Sequence, residues 1–387
     1  MHCAPTIILI VLLVLPLHAQ DFAPPIVGEY IATTDALGES VIVYDMDTGV
    51  SHPITIGLGA HQVWDTSPDG CELLVTLTPE AAPTLLYAVT LDGDARPLLN
   101  VDDLPNGVFG NWSAWEPDWS PDGTRIAFTL SRPIESPESY TGVESRVAWV
   151  PPQGGAPTFY SVAGDEFYPT WSPDGAWLAY VSYEVRPAGA TLYATAEPNI
   201  PADTPAVRES DLWKVSADGL TKERLTTFYV GSVTHPRWNP DSTLIAFLYT
   251  VVPSEDFLWI IAAQPNAIPT RLTTEPVQSQ WVIWQPDGLA LLAALRGFQA
   301  DDAARLWSVP PLENAEQSAA RYPLTAADDA AFDFPLWNAN GGRLAVRRDY
   351  TLTILAPDAA PTVLAGLGNT PPVWSPAAFG GQATCGG

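Results

Sequence analysis

The sequence predicts an all-β fold, a seven-bladed β-propeller built from four-stranded blades. Three observations predict it: a turn phrase that recurs seven times, an apolar strand with an aromatic residue between successive copies, and two ends that each supply what the other lacks. Regular repeats of short strands, none of which can bury its apolar face alone, are typical of propellers.

The turn phrase is Trp-Ser-Pro-Asp-Gly followed by a run of apolar residues. It is complete at Trp119–Gly123 and Trp171–Gly175, and looser copies keep its outline. The seven copies begin at Thr66, Trp119, Trp171, Trp238, Trp284, Trp337 and Trp374. Pro and Asp favour a tight turn, and Gly adopts the positive φ that reverses the chain. Each copy therefore predicts a hairpin between the first two strands of a blade.

A third and a fourth strand follow each hairpin. The third strand is apolar and carries an aromatic residue, as in Leu86-Tyr87, Leu212-Trp213 and Leu258-Trp259. A short segment such as 223–226 or 270–273 then closes the unit. The repeat therefore predicts four short strands per blade.

The two ends of the chain complete each other. Glu29–Thr33 enters as a second strand, whereas Pro372–Trp374 is a first strand with no second strand after it. We therefore expect the C-terminal strand to complete the first blade, so that no sheet edge is left open where the ring closes.

The Trp-Ser-Pro-Asp-Gly phrase resembles the repeat of TolB-type β-propellers, in which it marks the turn between the first and second strands of each blade. The resemblance covers residues 20–387, which are predicted to form one TolB-like propeller. The resemblance to TolB implies a ring of six blades. Six blades with one degenerate unit is therefore the alternative to seven. The motif indicates a fold and leaves the function open.

Residues 1–19 are predicted to be a signal peptide. An apolar run over Ile7–Leu15 ends at Pro16, and Leu17-His18-Ala19 offers a cleavage site before Gln20. The run is short for a bilayer span. These features predict a secreted or periplasmic protein. The alternative is an uncleaved signal that anchors the protein to a membrane, because no Lys or Arg precedes the apolar run.

The chain is strongly acidic, with 17 basic and 44 acidic residues and a net charge of −27. Such a surface repels nucleic-acid phosphates and anionic lipid headgroups, so neither is an expected partner. The charge either keeps an exported protein soluble or attracts a cation or a basic partner.

Two cysteines, Cys71 and Cys385, remain after the signal, since Cys3 precedes the apolar run. Cys71 follows the turn of the second blade, and Cys385 lies on a tail that leaves the equivalent turn of the first blade. In an oxidising compartment we expect them to form a disulfide across the closure. The alternative is two unpaired thiols.

A binding site is predicted at the mouth of the central channel. Residues just before the motif tryptophans would line it, namely Trp115, Glu116, Tyr168, His235, Trp281 and Phe334. Aromatic and polar groups in a concave funnel suit a sugar or a peptide side chain, although any one of them could instead pack between blades. Enlarged loops at 101–113, 131–144 and 183–210 are expected on the same face.

No catalytic motif is visible, neither a Gly-x-Ser-x-Gly elbow nor a His-Glu-x-x-His pair. We therefore expect no catalytic residues and no cofactor, in a monomeric, exported binding or scaffold module for an extracytoplasmic protein, peptide or glycan. The alternative is a channel-mouth enzyme, lactonase- or lyase-like, for which a calcium ion is possible. Four carboxylates near the funnel motivate that alternative: Glu116, Asp165, Glu166 and Asp333. The metal ligands are unknown.

Overall fold

The computed structural model describes residues 25–99, 104, 112–133, 143–160, 165–185, 208–228, 231–252, 255–277, 281–295, 305–311, 320–321, 333–348, 350–357, 359–368 and 370–385. These residues form an all-β structure whose strands make six sheets, antiparallel except for one parallel residue pair. The predicted signal, residues 1–19, lies outside the described residues. Within them, no helix is long and apolar enough to cross a membrane.

Sheets 1 and 2 each contain four strands. Sheet 1 joins the two ends of the fold in the order β28-β1-β2-β3, and sheet 2 runs from β4 to β7. The strands of sheet 1 are β1 Tyr30–Thr34, β2 Val41–Asp45, β3 Ser51–Ile54 and β28 Val373–Trp374. Those of sheet 2 are β4 Ala60–Thr66, β5 Glu72–Thr78, β6 Leu85–Thr90 and β7 Ala95–Pro97.

Sheet 3 contains eight strands and covers two turn phrases. Its strands are β8 Ser113–Trp119, β9 Ile126–Pro133, β10 Val143–Val150, β11 Thr158–Phe159, β12 Asp165–Trp171, β13 Trp177–Val185, β14 Arg208–Ser216 and β15 Lys222–Arg224. Its two groups of four strands are joined by one parallel residue pair, Ser145 with Asp165, between β10 and β12. The hairpin of β9 and β10 is long enough for β10 to reach the neighbouring strand.

Sheets 4, 5 and 6 each contain four strands in chain order. Sheet 4 is formed by β16 Ser232–Trp238, β17 Leu244–Val252, β18 Glu255–Ala262 and β19 Thr270–Arg271. Sheet 5 is formed by β20 Ile283–Trp284, β21 Leu291–Leu295, β22 Arg305–Val309 and β23 Ala320–Arg321. Sheet 6 is formed by β24 Asp333–Trp337, β25 Leu344–Arg348, β26 Thr351–Leu355 and β27 Thr362–Ala365.

The innermost strands follow one another around a closed ring. Contacts run in the order β28, β4, β8, β12, β16, β20, β24 and back to β28. This arrangement is a β-propeller, as predicted. The predicted count of seven separate blades is not confirmed, because five sheets have four strands and the sixth has eight.

The repeated phrase forms the predicted hairpin turn. In the copy after β8, Ser120 Oγ donates to Asp122 Oδ1 at 2.6 Å, and the Gly123 N–H donates to the Ser120 carbonyl at 2.8 Å. Ser120 Oγ also accepts the N–H of Arg125 at 2.9 Å. Gly123 has a φ of +70°, which is the left-handed conformation expected of this position.

The apolar core lies between neighbouring sheets. Strand residues alternate between buried and partly buried, as in β2, so both faces of an inner sheet carry apolar side chains. Between sheets 1 and 2, for example, Val43 and Tyr30 pack with Val63 and Leu73. An equivalent cluster fills the gap between the two halves of sheet 3. This packing fixes the innermost strands around the channel.

The ring closes as the sequence predicts. Strand β28 pairs with β1, and Ser375 Oγ accepts the N–H of Tyr30 at 3.0 Å. The tail then forms a short 3-10 turn over Gln382–Thr384. It ends in a Cys71–Cys385 disulfide with a Cα–Cα separation of 5.4 Å, which confirms the predicted pairing.

Candidate functional site

Four predicted site residues adopt the left-handed backbone conformation. They share one place in the repeat, three residues before the motif tryptophan, and a proline follows each of them. Their φ angles are +55° for Glu116, +58° for Tyr168, +50° for His235 and +51° for Phe334. Each lies where the pairing of the first two strands shifts register. Non-glycine residues with such angles cost free energy, and they cluster at functional sites.

The innermost strands enclose a cavity of about 540 Å³, here called the inner cavity. Five of the six predicted residues line it, namely Glu116, Tyr168, His235, Trp281 and Phe334. Trp115 is not among the residues that line it. The lining continues to Ala339 and Pro376, so the cavity extends towards the hairpin-turn face.

Aromatic rings pair across neighbouring strands in this cavity. Tyr168 and His235 have ring centroids 4.4 Å apart, and Trp281 and Phe334 have centroids 5.1 Å apart. The Arg237 guanidinium carbon lies 5.8 Å from the Trp281 ring centroid. Flat apolar walls of this kind favour planar or cationic groups.

A second ring of residues lines the channel immediately before the motif tryptophans. Its members are Asp65, Asp118, Thr170, Arg237, Ile283, Leu336 and Val373. Sequence analysis missed the charged members Asp65, Asp118 and Arg237. The signal was present, because strand alternation places residues three and one before the tryptophan on the same side.

The carboxylates of the inner cavity are held by backbone N–H groups of the next innermost strand. Asp65 Oδ2 accepts the N–H of Trp119 at 2.8 Å, and Asp118 Oδ2 accepts that of Trp171 at 2.5 Å. Glu116 Oε2 accepts the N–H of Tyr168 at 3.0 Å. These bonds orient the side chains and leave other lone pairs of each carboxylate for a ligand.

Burial raises the pKa of all three carboxyl groups. For Asp65, desolvation acts together with the neighbouring Asp118 charge, whereas Arg237 moderates the rise in the pKa of Asp118. Desolvation raises the pKa of Glu116 to about 7, against the hydrogen bonds from Tyr168 and Thr129. Groups that titrate near neutrality in a cavity are candidates for ligand binding or proton transfer.

The two basic residues of the cavity are His235 and Arg237. Burial lowers the pKa of His235 to about 3, so its imidazole is neutral at neutral pH. Its Nδ1 atom is buried and has no hydrogen-bond partner among the described residues. Burial also lowers the pKa of Arg237, and the charges of Asp118 and Glu116 oppose that shift.

The alternative of a channel-mouth enzyme allowed a calcium ion and was motivated by carboxylates near the funnel. Within the described ranges, no group of three or more His, Cys, Asp or Glu side chains could hold a metal ion. Glu166 is buried and accepts the N–H of Val147 at 3.2 Å, and neither Asp165 nor Glu166 lines the inner cavity. Most of each enlarged loop lies outside the described residues: 101–103, 105–111, 134–142 and 186–207.

Comparison with known proteins gives two partial relatives, and no family model matches the chain. "Uncharacterized protein Atu1656" of Agrobacterium fabrum is 28% identical over 143 residues, which are 36% of this chain and 45% of that protein. "Uncharacterized peptidase YuxL" of Bacillus subtilis is 28% identical over 203 residues, 51% of this chain and 25% of that protein. The chain therefore matches less than half the length of either relative.

Solved structures similar to the chain are also propellers. A puromycin-hydrolyzing peptidase of Mycobacterium tuberculosis has 15% identity and a TM-score of 0.58, over 90% of this chain and 54% of that one. Oligogalacturonate lyase of Vibrio parahaemolyticus has 14% identity and a TM-score of 0.55, over 86% of this chain and 90% of that one. TolB of Acinetobacter baumannii is similar over 90% and 66%, at 13% identity and a TM-score of 0.49.

By fold, the chain is a β-propeller. The identities to solved structures are low, so these likenesses establish the fold alone. The Trp-Ser-Pro-Asp-Gly turns resemble those of TolB-type propellers and form the predicted hairpins. A peptidase and a lyase share this fold, so function has to be argued from the inner cavity.

Proposed function

We propose that the protein is an exported, non-enzymatic binding propeller that holds a segment of an extracytoplasmic polypeptide in its inner cavity. The observation that carries this proposal is the strained aromatic and polar lining of that cavity. Glu116, Tyr168, His235 and Phe334 are kept in a backbone conformation that glycine would adopt at lower cost. Large side chains at such positions indicate that the side chains themselves are needed.

Binding without catalysis accounts for the character of these side chains. A few convergent polar groups between aromatic walls are typical of sites that recognise a ligand. Neutral His235 and the backbone-bound carboxylates Asp65 and Asp118 are oriented groups in a partly enclosed cavity. Export is supported by the Cys71–Cys385 disulfide, because such bonds persist in oxidising compartments.

We propose further that sheet 3 represents two blades, which makes seven units around the channel. Each half of sheet 3 has four strands and its own turn phrase, and one residue pair joins the halves. The core cluster between the halves, with Val147 against Leu178 and Tyr180, resembles those between separate sheets. A closed ring of this kind has no large open edge for self-association, which supports a monomer.

Selection from a displayed random-peptide library, in parallel with a glycan array, tests the binding proposal. We expect a family of selected peptides whose affinity falls by about tenfold or more in Trp281→Ala, since aromatic anchors dominate such sites. Tyr350→Ala is the matched control, because Tyr350 is an exposed aromatic residue outside the inner cavity. Selected ligands that bind Trp281→Ala as well as the control would contradict the proposal, and glycans alone would move the ligand class to sugars.

An enzyme remains the second candidate because of one observation. Burial gives Glu116 a pKa of about 7, which suits general acid–base catalysis at neutral pH. One similar structure is that of an oligogalacturonate lyase. Polygalacturonate is therefore the first substrate to assay, by ultraviolet absorbance of an unsaturated product. Turnover that is lost in Glu116→Gln would favour this candidate, and absence of turnover would remove its lyase form.

A further inference from the structure

A second cavity adjoins the inner cavity at the hairpin-turn face. It measures about 540 Å³ and is here called the outer groove. It is lined by residues of sheets 1 and 6 and of the C-terminal tail, including Glu29, Asn340, Arg343 and Phe379. Ala339, Ser375 and Pro376 line both cavities, so these three residues lie where the two cavities meet.

The tail that closes the ring also forms a wall of the outer groove. Phe379 packs edge-on against Tyr30 with ring centroids 5.0 Å apart. The Cys71–Cys385 disulfide holds the end of this tail. Opposite, Glu29 accepts hydrogen bonds from Asn338 and Arg343. The groove is therefore a fixed surface rather than a gap between loose segments.

The inner cavity carries more acidic than basic groups. Asp65, Asp118 and Glu116 face the channel, and Arg237 is the basic residue whose charge acts on Asp118 and Glu116. Asp65 accepts backbone N–H groups at both oxygens but makes no ion pair with any described residue. The buried Nδ1 of His235 has no hydrogen-bond partner in the described part of the chain. Buried polar groups without partners are costly, and a ligand with suitable charge reduces that cost.

We propose that the ligand is an extended basic peptide, whose main chain lies in the outer groove and whose lysine or arginine side chain enters the inner cavity beside Asp65 and Asp118. This inference rests on the proposed binding function and names its ligand. The aromatic walls formed by Tyr168 and Trp281 suit the stem and the cationic head of such a side chain. The net charge of −27 attracts a basic segment over a longer range.

Three synthetic peptides test the ligand chemistry on the unmodified protein. Each is an acetylated and amidated glycine–serine peptide with one central residue, which is lysine, arginine or norleucine. Norleucine keeps the apolar stem of lysine without the charge. By isothermal titration calorimetry at physiological salt, we expect the norleucine peptide to bind at least about tenfold more weakly than the other two. Equal binding of all three would overturn the proposal.

Variants of the channel locate the cationic group. Above pH 8, where Asp65 is ionised in the folded protein, Asp65→Asn should weaken the lysine peptide by about tenfold or more. Asp94→Asn, which removes an exposed carboxylate of sheet 2, should have little effect at the same pH. Arg237→Gln removes the competing positive charge and should strengthen binding. For an anionic ligand, Arg237→Gln would weaken binding and Asp65→Asn would strengthen it. Asp65 also accepts a hydrogen bond from Trp119, so Asp65→Asn could fail to fold. In that case Arg237→Gln decides between a cationic and an anionic ligand.

Failure of this inference is distinguishable from failure of the proposed function. Library peptides that need Trp281 but lack Lys and Arg would overturn the basic ligand and leave polypeptide binding intact. A lysine peptide that binds equally to Asp94→Asn and Asp65→Asn would show attraction to the acidic surface alone and would also overturn it. If no selected peptide depends on Trp281 for binding, both the basic ligand and the proposed binding function are overturned.

Discussion

The side chain of Asp65 is bonded to the backbone of Trp119, with 2.8 Å between Oδ2 and the amide nitrogen. Asp118 repeats this bond to Trp171. Farther around the ring the donor is again a tryptophan of the following strand, but here its indole N–H donates to the backbone carbonyl of Arg237, from Trp284 at 3.1 Å. Asp65, Asp118 and Arg237, each immediately before a turn phrase, thus join neighbouring innermost strands and also line the inner cavity. Ligand binding and ring stability are therefore coupled at these positions.

Asp65→Asn should change how stability depends on pH. The folded state raises the pKa of Asp65 from 3.8 to about 8, so the folded protein keeps a proton that the unfolded chain releases. The unfolding free energy of the native protein therefore falls as pH rises from about 4 to 8, by an amount on the order of a few kcal/mol from this group. Urea unfolding of Asp65→Asn across that range should show a shallower decline. An unchanged slope would contradict the burial of this carboxyl.

His235→Asn should change the opposite part of the pH dependence, the loss of stability as pH falls. The pKa of His235 falls from 6.5 to about 3 on folding, so the unfolded chain binds the additional proton as pH falls below 6.5. Stability from this group is present above pH 6.5 and is lost towards pH 3. Tyr168 and Arg237 face His235, and neither Tyr168 nor Arg237 titrates in this range. Asn tolerates a left-handed φ and does not titrate. Thermal unfolding of the variant should lose less stability between pH 6.5 and 4 than the native protein does.

Ser242→Gly should stabilise the propeller by about 1 kcal/mol, because a left-handed residue with a side chain costs roughly 1–2 kcal/mol. Ser242 has a φ of +63° at the place where five other turn copies have glycine. Gly123→Ser is the matched reverse change. A Cβ atom at Gly123 would meet nothing closer than 3.8 Å, so its cost reports backbone strain. Thermal unfolding should show Tm shifts of opposite sign, and shifts of the same sign would contradict this account.

Removal of the disulfide should destabilise the protein by about 2–5 kcal/mol. Cys71 and Cys385 are separated by 314 residues, so the bond limits the unfolded chain strongly. Cys71→Ser with Cys385→Ser should lower the urea midpoint to that of the reduced native protein. The double variant should then be insensitive to reductant. A native protein whose midpoint does not change on reduction would show that the bond contributes little.

The fold was predictable because its repeat contains residues that determine a tight turn. Ser, Pro, Asp and Gly at fixed offsets determine each hairpin locally, as the bonds of Ser120 and Asp122 show. The joining of β10 to β12 was not predictable, since it depends on how far two hairpins extend before they meet at Ser145 and Asp165. Such a contact is set by geometry between repeats and leaves no local pattern.

The site was predictable in position and less so in chemistry. Aligning the copies three residues before the tryptophan placed Tyr168 and Trp281 at the channel. Asp65 and Arg237 were missed because they belong to strands whose apolar neighbours suggest packing, and because their charges meet only when distant strands are brought into one ring. Trp115 was expected to line the channel as well, and it is not among the residues that line the inner cavity.

The pairing of β28 with β1 determines when the propeller ring can close during synthesis. Tyr30 is synthesised early, and its hydrogen-bond partner Ser375 follows 345 positions later. Until then, β1 presents an unpaired edge of the kind that recruits other chains. The ring cannot close on a nascent chain, so export in an extended state would separate synthesis from closure and place the final pairing where the disulfide can form.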